Sequence, residues 1–226
     1  VGFRFLVSLV FALGVLAGCT EAVPRDQSAR ILTMGDSMLA WHGNSDGAVS
    51  DVVEDILGEP VVDRSVVGAR VFYSLPISGA MGMNISKQYR PGAWEWVILN
   101  GGGNDLWFGC GCRACDEKMS RMISPDGNTG TVPELVSSIR RTGARVIYVG
   151  YLRSPGVGSM IEHCREEGDE FERRIAQMAA ADPGVHFVSL ADLVPHGDRS
   201  YHSFDMIHPS TKASRKIAQR IAAVIR

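Results

Sequence analysis

The sequence lacks the marks of several function classes. Its 23 lysines and arginines are scattered among 25 acidic residues, for a net charge of −2, so no basic patch or stripe suits a nucleic-acid partner. The triple glycine Gly101-Gly102-Gly103 has no Lys-Ser/Thr after it and sits in no G-x-G-x-x-G pattern, which excludes a phosphate-cradling nucleotide loop. The apolar run from Phe5 to Ala17 has 13 residues, too few for a comfortable membrane-spanning helix, which needs about 20. There is no internal repeat and no second domain boundary, and 226 residues suit one domain. Apolar material is not lacking: at 45% hydrophobic and 21% charged residues the chain can bury a core and is not disordered.

Arg4 and the run that follows it read as the n-region and h-region of an export signal. The run ends in Leu16-Ala17-Gly18-Cys19, small residues before a cysteine, which resembles the lipobox of bacterial lipoproteins. That resemblance implies a signal peptide over 1–18, cleavage before Cys19 and a diacylglycerol on its thiol. The protein is then expected to be exported and anchored to a membrane of the bacterial cell envelope, on the periplasmic face or the cell surface. Residues 19–28, polar with one proline, read as a tether, and 29–226 as the folded domain.

The cysteines fit export. With Cys19 set aside for the lipid, Cys110, Cys112, Cys115 and Cys164 remain, an even number for an oxidising compartment. Of the three pairings, the one joining Cys110 to Cys112 is disfavoured, because one intervening residue leaves little room for relaxed disulfide geometry. Any remaining pairing ties the 110–115 loop either to itself or to the segment at Cys164. Three sulfurs spaced C-x-C-x-x-C, with His163 beside Cys164, also have the ligand types of a zinc site. Cys112-Arg-Ala-Cys115 has the spacing of a redox motif. Export favours disulfides over zinc, and a C-x-x-C placed after a third strand, not at a first helix start, argues against redox chemistry. No metal and no cofactor is expected.

Along the chain, Ile31-Leu32-Thr33-Met34 reads as a strand running into the turn Gly35-Asp36-Ser37-Met38. Ser45 or Asp46 is expected to cap a helix through Leu57, with Val49, Val52, Val53 and Ile56 on one face. A second strand begins at Pro60 and ends in Ser65-Val66-Val67-Gly68, and a short helix is expected near 78–88. Trp94 to Asn100 is a third strand. Residues 106–130 read as an irregular cysteine-bearing insertion with one turn of helix at 115–123. A helix over 133–142, a fourth strand over 144–151, a long helix over 159–181 and a fifth strand over 185–190 follow. Pro209 suits the first turn of a terminal helix. Strands alternating with helices at this spacing imply parallel βαβ units and a sheet covered on both faces.

In such a sheet the loops after the strands open on one edge, which would gather Ser37, Gly68, Asn104, Asp205 and His208. Serine is a weak nucleophile that needs a base. His208 can take its proton and return it to a leaving alcohol. Asp205, three residues earlier on the same tight turn, can hold the imidazole in one tautomer and stabilise the imidazolium. The backbone N–H groups of Ser37 and Gly68 and the side-chain amide of Asn104 can receive an oxyanion. The blocks Gly35-Asp36-Ser37, Gly68, Gly103-Asn104-Asp105 and Asp205-x-x-His208 resemble, in order, those of the SGNH (GDSL-type) hydrolases, over roughly residues 29–226. The resemblance implies a flavodoxin-like three-layer α/β/α sandwich with a parallel five-stranded sheet. It also implies a serine esterase acting on acyl or acetyl esters of lipid or envelope glycan. By position Ser37 would be the nucleophile, Asp205 and His208 its partners, and Ser37, Gly68 and Asn104 the oxyanion hole. Met38 stands where leucine or isoleucine is more usual and should still be an inward anchor.

Blander readings stand beside these. Ser37 fits a plain turn serine, Gly68 a strand-end glycine, Asn104 an Asx turn and Asp205 a helix cap. Asp36 is expected to brace the serine turn and Asp105 to hydrogen-bond backbone. His42 suits either the pocket or solvent, and His196 and His202 are expected at the surface. Trp41, Trp107, Phe108 and Tyr151 are candidate pocket walls. The same fold could also serve a non-catalytic glycan-binding or assembly protein of the envelope, against which the full Ser-His-Asp set counts.

Overall fold

The computed structural model describes residues 29–226. The expected signal peptide, the lipidation site Cys19 and the tether lie outside the described residues. Strands β1 (Ile31–Met34), β2 (Val61–Asp63), β3 (Trp96–Leu99), β4 (Arg145–Val149) and β5 (Val185–Val188) form one parallel sheet in the order β2-β1-β3-β4-β5. This is the doubly wound order of flavodoxin-like folds. β1, β3 and most of β4 are buried on both faces and, apart from the buried Thr33, apolar, as parallel strands between helical layers must be.

Alternation along the strands sorts the core into two. Leu32, Met34, Val97, Leu99, Val146 and Tyr148 face one layer, and Ile31, Trp96, Ile98, Ile147 and Val149 face the other. Helices α1 (Val49–Leu57) and α6 (Thr211–Ile225) cover the second face through Val49, Val53, Ile217 and Ile221. The first face packs against α2 (Gly103–Cys110), α3 (Asp116–Met122), α4 (Thr131–Arg140) and α5 (Arg165–Ala181) through residues such as Leu106, Met122, Val136 and Phe171. The result is the expected three-layer sandwich.

Several local expectations need correction. Residues 106–130 are more regular than expected: the helical turn expected at 115–123 is α3, and α2, which was not expected, runs into the segment before it. α2 starts from Gly102, whose φ of 103° turns the chain out of β3, and Leu106, Met119 and Met122 join the core beneath it. The cap of α1 is neither Ser45 nor Asp46. Residues 43–45 form their own tight turn and Asp46 is left-handed, so the helix begins after Ala48, whose N–H donates to Asp51 at 2.8 Å. The 78–88 segment is a series of short turns broken at Gly82, whose φ is 108°. α5 starts at Arg165, not near 159, after a loop and a single tight turn over Glu162–Cys164. Pro209 lies outside α6. It bridges to His202, and Ser210 caps the helix by accepting from the Ala213 N–H.

Candidate functional site

Ser37 sits at the C-terminal end of β1 on a single helical turn, Ser37–Ala40. The turn is fixed from three sides. Gly35 has a φ of 154°, and a Cβ there would lie 2.8 Å from the Asn100 carbonyl oxygen. The buried Gln88 side chain accepts from the Gly35 N–H at 2.6 Å and donates to its carbonyl at 2.8 Å. Asp36 caps the turn, its Oδ1 accepting from the Met38 N–H at 2.9 Å, while Met38 is buried as an inward anchor.

The other end of the chain meets this turn. The Nε2 of His208 lies 2.8 Å from Ser37 Oγ, and its Nδ1 lies 2.5 Å from Asp205 Oδ2. Asp205 Oδ1 accepts from the N–H groups of Ile207 and His208, each at 3.0 Å, so the carboxylate folds the turn that carries the histidine. Met206 between them adopts a left-handed φ of 62°, a strained backbone of the kind that collects at functional sites. Burial pushes the Asp205 carboxyl up, but the hydrogen bonds from His208 and the two N–H groups outweigh it and hold the group below the ordinary carboxylate value. With Nδ1–H given to Asp205, Nε2 is the acceptor, and the serine proton has a base in reach.

Gly68 and Asn104 lie on segments pinned to each other. The Asn104 Nδ2 donates to the Ala69 carbonyl at 3.0 Å, and Asp105 accepts from the N–H groups of Val71 and Phe72, both at 2.8 Å. Asp105 is thus the backbone-bonder expected, with partners on a distant loop. Gly68 is left-handed, with a φ of 81°. A Cβ there meets only Met83 at an ordinary 3.5 Å, so glycine serves the backbone conformation at this position.

Tyr151, at the end of β4, joins the two sides. Its hydroxyl donates to Asp36 Oδ2 at 2.6 Å and accepts from the Gly103 N–H at 2.9 Å. Burial raises the Asp36 carboxyl to about 6, against the hydrogen bonds from Tyr151 and Met38. Sequence reasoning placed Tyr151 only as a pocket wall, and its bonding role was missed. The one available signal was a polar tip at the end of a central strand.

A cavity of about 110 Å³ opens beside Ser37, lined among others by Asn104, Trp107, Tyr151 and His208. Of the other candidate walls, Trp41 stacks on His208 with ring centroids 3.7 Å apart, while Phe108 is exposed and turns its ring to Trp107. His42 donates from Nε2 to the Pro209 carbonyl at 3.0 Å. His196 is exposed. His202 is not at the surface: it is buried, and burial lowers its pKa against the pull of Asp205. Its bridge to Pro209 draws it under the turn.

Disulfides join Cys110 to Cys115 and Cys112 to Cys164. Cys112, His163 and Cys164 have ligand atoms within 4.8 Å of one another, but the two sulfurs are bonded together. A disulfide offers no thiolate to a metal, so the arrangement does not fit zinc.

A family model described as the GDSL-like lipase/acylhydrolase family matches residues 33–216. No match was found among the curated proteins. Among solved structures the chain is similar to an assigned SGNH hydrolase from Slackia heliotrinireducens, at 18% identity and a TM-score of 0.62, covering 88% of this chain and 100% of that one. It is similar to TesA at 19% identity and a TM-score of 0.59, covering 87% and 97%. It is similar also to a family two carbohydrate esterase from Clostridium thermocellum in complex with cellohexaose, at 19% identity and a TM-score of 0.53, covering 86% and 62%. At these identities the structural likeness is one of fold.

Proposed function

Because the chain belongs to the GDSL-like lipase/acylhydrolase family, the SGNH hydrolases, and is an ester hydrolase, we propose that it cleaves carboxylic esters with Ser37 as nucleophile, His208 as base and Asp205 as the group that orients the base. The observation that carries this reading is the continuous contact from Ser37 Oγ to His208 Nε2 at 2.8 Å and from His208 Nδ1 to Asp205 at 2.5 Å.

In this mechanism His208 takes the Ser37 proton as Oγ attacks the ester carbonyl carbon. The carbonyl oxygen becomes an oxyanion, received by the backbone N–H groups of Ser37 and Gly68 and the Asn104 amide. Asn104 spends one Nδ2 hydrogen on the Ala69 carbonyl, which aims the other. Collapse breaks the bond to the alcohol oxygen, which leaves with the proton from His208. Water then repeats the sequence on the acyl-enzyme, with His208 again the base, and releases the acid. Asp205 stays ionised and stabilises each imidazolium.

The substrates we propose are acyl or acetyl esters of an envelope glycan or a lipid. The carbohydrate esterase among the structures of similar fold supports the glycan half. The lipobox-like Leu16-Ala17-Gly18-Cys19 supports an exported, lipid-anchored protein working at the cell envelope.

The test is hydrolysis of p-nitrophenyl acetate by purified wild-type protein and by Ser37→Ala. The reading requires turnover by the wild type and a loss of at least about 10³-fold in the variant. Equal rates from the two proteins would end it.

A further inference from the structure

The cavity beside Ser37 is apolar where it leaves the site. Leu106 and Trp107 of α2 form one wall, Ile161 of the loop after β4 another, and Phe171 of α5 lies with them. The Cys112–Cys164 disulfide is part of the same lining. It joins the segment just after α2 to the turn just before α5, so it staples together the two strand-end loops whose side chains face each other across the space. Arg153 and Arg165 also reach the lining, but they are paired with Glu172 and Glu162; the larger part of the lining is apolar, and a hydrocarbon chain gains from it.

We infer that this cavity is the acyl pocket of the enzyme, that it takes a short acyl chain, and that the Cys112–Cys164 disulfide sets its limit. The inference rests on the esterase reading of Ser37 and deepens it. An apolar cavity of about 150 Å³ holds the six carbons of benzene. The cavity here, about 110 Å³, has room on the same scale for roughly four carbons. Acetyl to butyryl groups fit within it, and longer chains meet the stapled wall. Esters of a short acyl group are therefore the substrate class, and long-chain acyl esters are excluded by length.

The experiment is a chain-length series of p-nitrophenyl esters from acetate to octanoate, run on three folded proteins: wild type, Cys112→Ala/Cys164→Ala, and Ile161→Trp, which keeps the staple and fills the pocket. Within the pocket each buried methylene raises kcat/KM by about fourfold, so the wild-type optimum falls at four carbons or fewer. Octanoate falls at least about tenfold below butyrate. Cutting the staple raises the octanoate-to-butyrate ratio at least about fivefold, and Ile161→Trp lowers the butyrate-to-acetate ratio at least about tenfold. If the double variant does not fold, the Ile161→Trp ratio decides alone. A wild-type preference for octanoate, or ratios unmoved in the variants while hydrolysis continues, overturns this inference and leaves the esterase reading intact. A folded wild type that hydrolyses none of the esters overturns both.

Discussion

The indole of Trp41 lies flat on the imidazole of His208, with planes 6° from parallel and centroids 3.7 Å apart. The next residue, His42, holds the Pro209 carbonyl at 3.0 Å. The chain just after the Ser37 turn thus grips the histidine's own turn at two consecutive residues. The indole face also offers a cation–aromatic contact to the imidazolium that forms at each proton transfer.

Replacing Trp41 by alanine removes that face and lets the ring of His208 turn away from Ser37. A face-on cation–aromatic contact contributes about 0.5–2 kcal/mol, so kcat for p-nitrophenyl acetate should fall roughly 2–30-fold with KM little changed. Steady-state kinetics check this, and an unaltered kcat would mean that the stack does not serve the base.

The buried Asp36 carboxyl gives stability an unusual pH dependence. Folded, it holds its proton up to about 6, because burial penalises the charge; its ordinary value is 3.8. Between those values the folded chain binds the proton that the unfolded chain has released, so this group's contribution declines as pH rises from about 4 to about 6. The loss amounts to about 3 kcal/mol. Urea denaturation of wild type and Asp36→Asn across pH 4–7 should show the wild type losing stability relative to the variant over that window. Parallel curves would contradict it.

The two disulfides should differ in their contribution to stability. Cys112–Cys164 closes a loop with a sequence separation of 52 and Cys110–Cys115 one of 5. Loop-closure entropy gives about 4 kcal/mol for the first and about 2 kcal/mol for the second. The Cys112→Ala/Cys164→Ala pair should therefore lower the urea midpoint more than the Cys110→Ala/Cys115→Ala pair. An equal or reversed order would show that strain or residual unfolded structure dominates.

How much of this was legible in the sequence follows from how local each signal is. β1, β3 and β4 announce themselves as mostly apolar runs ended by glycine or asparagine, and their parallel pairing follows from the alternation with helices. Ser37, Asp205 and His208 were recognisable because each stands in a short block, and the blocks occur in a family's order. α2 was not legible. Its residues Gly-Asn-Asp-Leu-Trp-Phe-Gly-Cys carry two glycines and no helical apolar stripe, and the helix depends on Gly102, on Asp105 gripping the Val71–Phe72 backbone and on disulfides at its end. His202 was misplaced for a similar reason, since its burial follows from a bridge to Pro209. The partners of Trp41 and Asp36, His208 and Tyr151, lie far along the chain, and nothing local in either residue announces them.

The central claim is that Ser37 is the nucleophile and His208 its base. Intact-mass and peptide mass spectrometry after treatment with a fluorophosphonate tests it most directly, because the reagent bonds far faster to a serine oxygen that a base has activated than to one that is not. The account predicts one adduct per wild-type chain, located on Ser37, with labelling of His208→Ala slowed at least about 10³-fold. Labelling at another residue, no labelling, or equal rates for wild type and His208→Ala would contradict it.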